Sequence, residues 1–121
     1  MTADELRART KEFALRIIKL VAALPKNVEG RAIANQLVRS GTSVAANYRS
    51  ACRARSRIEF AAKLGVVLEE ADETLLWLEL IVAAKLLPAA RVNVLLREAN
   101  ELVAIFVTSR KSSLARKKSE I

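Results

Sequence analysis

Apolar residues return along this chain at helical intervals. Leu6, Phe13, Ile17, Leu20 and Leu24 step by sevens, threes and fours, which places them on one face of a helix over about 4–24. Thr2 and Glu5 have the spacing of a capping box ahead of it, and Pro25 ends it. A second helix over about 28–54 carries Ile33, Leu37, Gly41, Val44 and Tyr48 on one stripe. Gly41 costs about 1 kcal/mol relative to Ala there, so it marks either a kink or a close approach by a neighbouring backbone. Ser56-Arg57-Ile58-Glu59 reads as a second capping box, and a third helix over about 57–86 follows through Phe60, Leu64, Val67, Ala71, Leu75, Leu78 and Val82. Pro88 suits the first turn of a fourth, over about 89–112, with Val92, Leu95, Ala99, Leu102 and Phe106 inward. Connections this short make consecutive helices antiparallel neighbours. The expected fold is all-α: a single-domain up-down-up-down four-helix bundle over 1–121, ending in a basic tail from about 110.

The third and fourth helices are apolar on more than one stripe. Leu68, Leu76, Leu80 and Ile81 lie off the main line of the third, and Val94, Leu96, Val103, Ile105 and Val107 off that of the fourth. A bundle helix leaves its other faces wet, so this surplus predicts a homo-oligomer. The alternative is that broad, Ala-rich stripes fill a wide core within one copy. At 121 residues a chain buries roughly 65% of its extended surface, enough for a core without staples.

Charge changes the picture next. The net charge is +8, and it is sorted along the chain. Residues 30–58 hold six bases and no acid, residues 59–101 hold eight acids and four bases, and 110–118 add five bases. Arg49, Arg53 and Arg57 sit four apart and share a helical face if the second helix lasts that long, with Arg55 pointing elsewhere. The planar arginine fork suits phosphate oxygens, and clustered cations gain from counterion release. The candidate nucleic-acid-binding residues are therefore Arg39, Arg49, Arg53, Arg55, Arg57, Arg110, Lys111, Arg116, Lys117 and Lys118. Arg110 and Lys111 also have a structural reason to stand at a helix end. The competing assignment pairs the arginines with Glu69, Glu70, Asp72 and Glu73, within one copy or across a seam, and makes the protein a scaffold or adaptor. A surplus of +8 survives even if every acid is paired, which favours RNA or DNA contacted through its backbone with little sequence preference. With about six phosphates neutralised per site, affinity is expected to fall by roughly three decades between about 50 and 200 mM salt.

Asn47, Tyr48, Glu69, Glu70, Glu73 and Trp77 form the candidate oligomer interface: Asn47 as a register-fixing amide, Trp77 as a packing anchor, the acids as partners for arginine. Little argues for catalysis. The lone Cys52 forms no intramolecular disulfide and no zinc site, and without histidine it has no base to activate it. The acids of the third helix spread around it rather than converge, so no di-iron site is expected. A non-enzymatic protein without cofactor or metal is the expectation. The N-terminus alternates charges without an apolar core, and the longest apolar runs fall short of a bilayer span, so a cytoplasmic protein with no membrane partner is expected.

The stretch SGTSVAANYRSACRARSRIEFAAKLGVVLEEADETLLWLEL, Ser40 to Leu80, resembles the signature region of the bacterial four helix bundle protein family. Its most specific pieces are Ser43-Val44-Ala45-Ala46-Asn47, Arg55-Ser56-x-x-Glu59-Phe60, the run Leu68 to Glu73, and Trp77-Leu78-Glu79-Leu80. The likeness starts at FALRIIKLVAALPK, Phe13 to Lys26, and reaches about Phe106. It departs from the family at Ala45, where many relatives have Gly, and in the tail. Members were first noticed as products of intervening sequences inside large-subunit ribosomal RNA genes. The family is related to the accessory variability protein of diversity-generating retroelements. The resemblance implies a four-helix protomer in a ring-like homopentamer with a basic surface, a nucleic-acid connection and, by the retroelement relationship, a reverse transcriptase as partner. It supplies no catalytic residue.

Overall fold

The computed structural model describes residues 1–119, and side chains as far as Ala115; among these residues there are four helices and no strand. Thr2 opens α1, Ala3–Val21, with a closed capping box: its hydroxyl accepts the Glu5 N–H at 3.1 Å while the Glu5 carboxylate accepts the Thr2 N–H at 3.2 Å. Helix α1 stops short of the expected Leu24. The residue before a proline disfavours the α region, so the chain tightens through Ala23 N–H to Leu20 and Leu24 N–H to Val21 bonds ahead of Pro25. Leu24 is still buried in the core.

Asn27 caps α2, Val28–Ala51, by accepting the Gly30 N–H at 2.9 Å. Gly30 is required there, because a Cβ would lie 2.0 Å from the Pro25 carbonyl oxygen. Helix α2 also ends early, at Cys52, and not at Ala54. Ser56 then caps α3, Arg57–Ala83, accepting the Glu59 N–H at 3.1 Å. The reciprocal bond of this box goes one residue upstream: the Glu59 carboxylate accepts from Arg55 N–H, at 3.4 Å. Helix α3 closes in a Schellman turn, with Leu86 N–H on Ile81 and Lys85 N–H on Val82, and Lys85 takes a left-handed φ of 58°. Pro88 stands just ahead of α4, Ala89–Ser119, with its carbonyl accepting the Arg91 N–H. The basic stretch from Arg110 to Ser119 continues that helix, beyond the expected end near 112.

Helix α1 packs on α2 and α4, and α3 packs on the same two. The core joins Phe13 and Ile17 of α1, Leu37 and Val44 of α2, Leu64, Val67, Leu78 and Ile81 of α3, and Val92, Leu102 and Phe106 of α4. On α3 the inward line is rotated from the expected one. Ile81 is fully buried, whereas Phe60, Leu75 and Val82 are half-buried at the edge of the same core. The apolar surplus divides: Leu68, Leu96, Val103 and Ile105 pack against the core, but Leu76, Leu80 and Val94 remain 48, 38 and 46% exposed. Gly41 marks a close approach rather than a kink. A Cβ at this position would meet three carbons of Ile17 at 2.9–3.2 Å, so a side chain of α1, not its backbone, occupies the space. Contacts between helices that set register include Arg9 with Glu98, Ser40 with Thr74, and Arg110 with the carbonyl of Ala61. Among the described residues no helix is long and apolar enough to cross a membrane.

Candidate nucleic-acid interface

Residues Arg7 and Lys11 lie one turn apart on α1, and Arg49 is in the last turn of α2. Helix packing brings them together with Arg53, which lies just past the α2 C-cap. Arg7, Lys11, Arg49 and Arg53 line one open groove, with Ala8 at its floor. An adjoining groove shares the first three cations and is floored by Ala14, Thr42, Ala45 and Ala46. Small side chains on both helices keep the floor shallow while the long cationic ones stand over it. The grooves have volumes of about 280 and 260 Å³. Small-molecule pockets run from roughly 300 Å³ and enclose their ligand, so a strand lying across this face fits better than an engulfed cofactor.

Among the described residues, Lys11, Arg49 and Arg53 have no ion pair and no side-chain hydrogen bond. Arg7 pairs with Asp4 one turn back on the exposed side of α1. Such a pair is worth about 0–1 kcal/mol and yields readily to phosphate. No acid lines either groove.

The other sequence candidates are distributed elsewhere. Helix α2 closes with Cys52 as its C-cap and α3 begins only at Arg57, so Arg49, Arg53 and Arg57 do not share one continuous helical face. Arg53 joins Arg49; Arg55 sits in the turn, and the half-buried Arg57 opens α3, neither lining the grooves. Arg39 clasps α2 to α3 within one chain. Its guanidinium reaches Glu70 at 3.2 Å and also Glu73, whose carboxylate in turn accepts the Trp77 indole N–H at 3.3 Å. The Arg39 hydrogen bond holds Glu73 below its ordinary pKa, and the same bond raises that of Arg39. Three of the candidate interface residues, Glu70, Glu73 and Trp77, thus meet around one arginine, while Glu69 is exposed. Arg110 lies across Gly65 and donates to the Ala61 carbonyl at 3.4 Å, and Lys111 is exposed. The side chains of Arg116, Lys117 and Lys118 lie outside the described residues. Asn47 bonds its own helix, donating to the Ser43 carbonyl at 2.9 Å. Tyr48 is a core residue, its ring 5.7 Å from that of Phe106; burial, with the Cys52 thiol beside it, raises its pKa.

Two members of the cationic face, Arg7 and Lys11, escaped the sequence reading. Their i, i+4 spacing was the available signal, but Asp4, Glu5 and Glu12 lie close to them in sequence and offset the local charge. Only the packing of α1 on α2 aligns them with Arg49 and Arg53.

Residues 5–108 match the family model described as 23S rRNA-intervening sequence protein. A crystal structure of a Bacteroides thetaiotaomicron protein, described as of unknown function and from the S23 ribosomal protein family, superposes with a TM-score of 0.81 at 32% identity. It covers 87% of this chain, and the match spans 97% of that one. No curated protein matches the sequence. The cationic face falls inside the matched region; Arg110 and Lys111 fall outside it.

Proposed function

The chain belongs to the 23S rRNA-intervening sequence protein family, and on that premise we propose that it is a non-enzymatic, homo-oligomeric, up-down-up-down bundle that binds RNA or DNA through the phosphate backbone. Five copies is the number the family resemblance implies. The observation that carries the reading is the convergence of Arg7, Lys11, Arg49 and Arg53 on one face with no acid among the groove residues. The groove residues offer guanidinium and ammonium donors and no Asn, Gln, Asp or Glu, a set suited to phosphate oxygens, so the face is read as positioning a strand without specifying its sequence. Arg39 meets Glu70 and Glu73, while Ser50, further along α2, meets Lys63, earlier in α3; this reversed order supports antiparallel neighbours. A scaffold whose arginines serve only ion pairs accounts for Arg39 but leaves Lys11, Arg49 and Arg53 without a role.

Fluorescence anisotropy with a labelled single-stranded RNA and a labelled DNA duplex, both of arbitrary sequence, tests this. Four phosphate contacts predict a loss of roughly a hundredfold in affinity between about 50 and 200 mM salt. The triple variant Lys11→Glu, Arg49→Glu, Arg53→Glu should abolish binding to both probes, and Arg39→Ala should leave it within about twofold. Equal affinity of the triple variant and the parent, or no binding at about 50 mM salt, overturns the reading.

A further inference from the structure

Among the described residues, two faces that remain apolar and exposed carry opposite charge. One is an open groove between α1 and α4 of about 400 Å³, where Leu15 and Val94, 53 and 46% exposed, stand among Arg16, Lys19 and Arg91 with Glu12 as the one acid. The other is the outer ridge of α3. Val66, Leu76 and Leu80 are 43, 48 and 38% exposed along it, and its exposed charges are Glu69, Asp72 and Glu79. From Leu64 to Ala84 the sequence has no base at all.

We infer that the α1–α4 groove of one copy receives the α3 ridge of the next, in a head-to-tail contact. The inference rests on the reading of the chain as a homo-oligomer and names the surfaces that assemble it. Charge decides between the possible pairings. Ridge against ridge opposes Glu69, Asp72 and Glu79 with themselves, and groove against groove opposes Arg16, Lys19 and Arg91 with only Glu12 to offset them. Only groove against ridge covers both apolar sets while opposing cation to carboxylate, and like-charge contacts across an interface are strongly disfavoured. A contact that uses a different patch on each copy is heterologous, so it propagates around a closed ring or along a filament and does not stop at a dimer. The phosphate-binding face is left outside this seam, because its α1 residues Arg7 and Lys11 and its α2 residues line separate grooves.

Sedimentation velocity on four forms of the whole chain, at micromolar concentration, tests the contact. They are the parent, Lys19→Glu/Arg91→Glu, Glu69→Lys/Glu79→Lys, and all four changes together. The parent is expected well above the 13.3 kDa of one chain. Each double reversal should weaken association by about a hundredfold or more and run as a monomer with unchanged helical circular dichroism, since two attractions become repulsions. The fourfold variant, with the charges exchanged between faces, should regain the parent mass. A monomeric parent removes the homo-oligomer reading itself. An oligomeric parent whose reversals keep its mass leaves that reading standing and overturns this seam. Dissociation by one reversal only, or a fourfold variant that stays monomeric, overturns the head-to-tail arrangement in favour of a face that meets itself. If a reversal loses helicity, Lys19→Ala and Glu79→Ala replace it, each expected to weaken association about tenfold; unchanged association in both overturns the seam.

Discussion

At the scale of single residues, two positions carry strain or tight fit that their neighbours decide. Lys85 holds a left-handed φ of 58° to close the α3 Schellman turn, a conformation that costs a side-chain-bearing residue about 1 kcal/mol or more. Lys85→Gly is therefore expected to raise stability by about 1 kcal/mol, measured by urea unfolding. Gly41 presents the opposite case. Alanine would gain up to about 1 kcal/mol of helix propensity but would press a methyl into Ile17, an overpacking worth about 1–3 kcal/mol. Gly41→Ala should destabilise the parent, and cost clearly less in an Ile17→Ala background, which removes the two nearest carbons and keeps only the Cβ at 3.2 Å. An undiminished cost in that background would show that the Ile17 branches are not the obstacle. The glycine's choice between kink and close approach was open in the sequence, because the answer lies on another helix.

Elements end where local chemistry competes with helix propagation. Ser56 satisfies the first N–H groups of α3, and Ser56→Ala is expected to cost about 1 kcal/mol in thermal or urea unfolding. Its motif was readable because capping is local in sequence. The end of α2 was not: its apolar stripe and arginine spacing run on past Ala51, while the chain turns to deliver α3 against α2. Between elements, Arg9 binds Glu98 through two hydrogen bonds of 2.7 and 2.6 Å and also reaches Glu101, tying α1 to α4. The Arg9 hydrogen bond, opposed by burial, holds the Glu98 carboxyl below its ordinary pKa. A carboxyl depressed in the folded state adds stability above its unfolded pKa, near 4.3, and loses it as pH falls through the folded value. Glu98→Gln should then cost about 1–2 kcal/mol at neutral pH, with the gap from the parent closing as unfolding is measured at pH values progressively below about 4. A gap independent of pH would assign the cost to packing.

For the whole molecule, assembly and binding are linked through shared cations. If copies gather head to tail, each adds its Arg7, Lys11, Arg49 and Arg53 to the surface available to one long strand. The salt dependence of RNA affinity should be steeper for the parent than for the dissociated Lys19→Glu/Arg91→Glu variant, whose binding face is intact; anisotropy across a salt series measures both slopes. Equal slopes would mean that each copy binds alone. The chain's own order of residues determined the four helices, their caps, most of the inward-facing positions and the positive surplus, because periodicity, capping and net charge are properties of neighbours along the backbone. Tertiary packing alone decided that Ile81 turns inward while Leu76 and Leu80 stay wet, that Arg39 closes on Glu70 and Glu73, and that Arg7 and Lys11 meet Arg49 and Arg53. Those outcomes depend on which helix faces lie side by side, and residues some forty positions apart carry no local mark of the neighbour they will acquire.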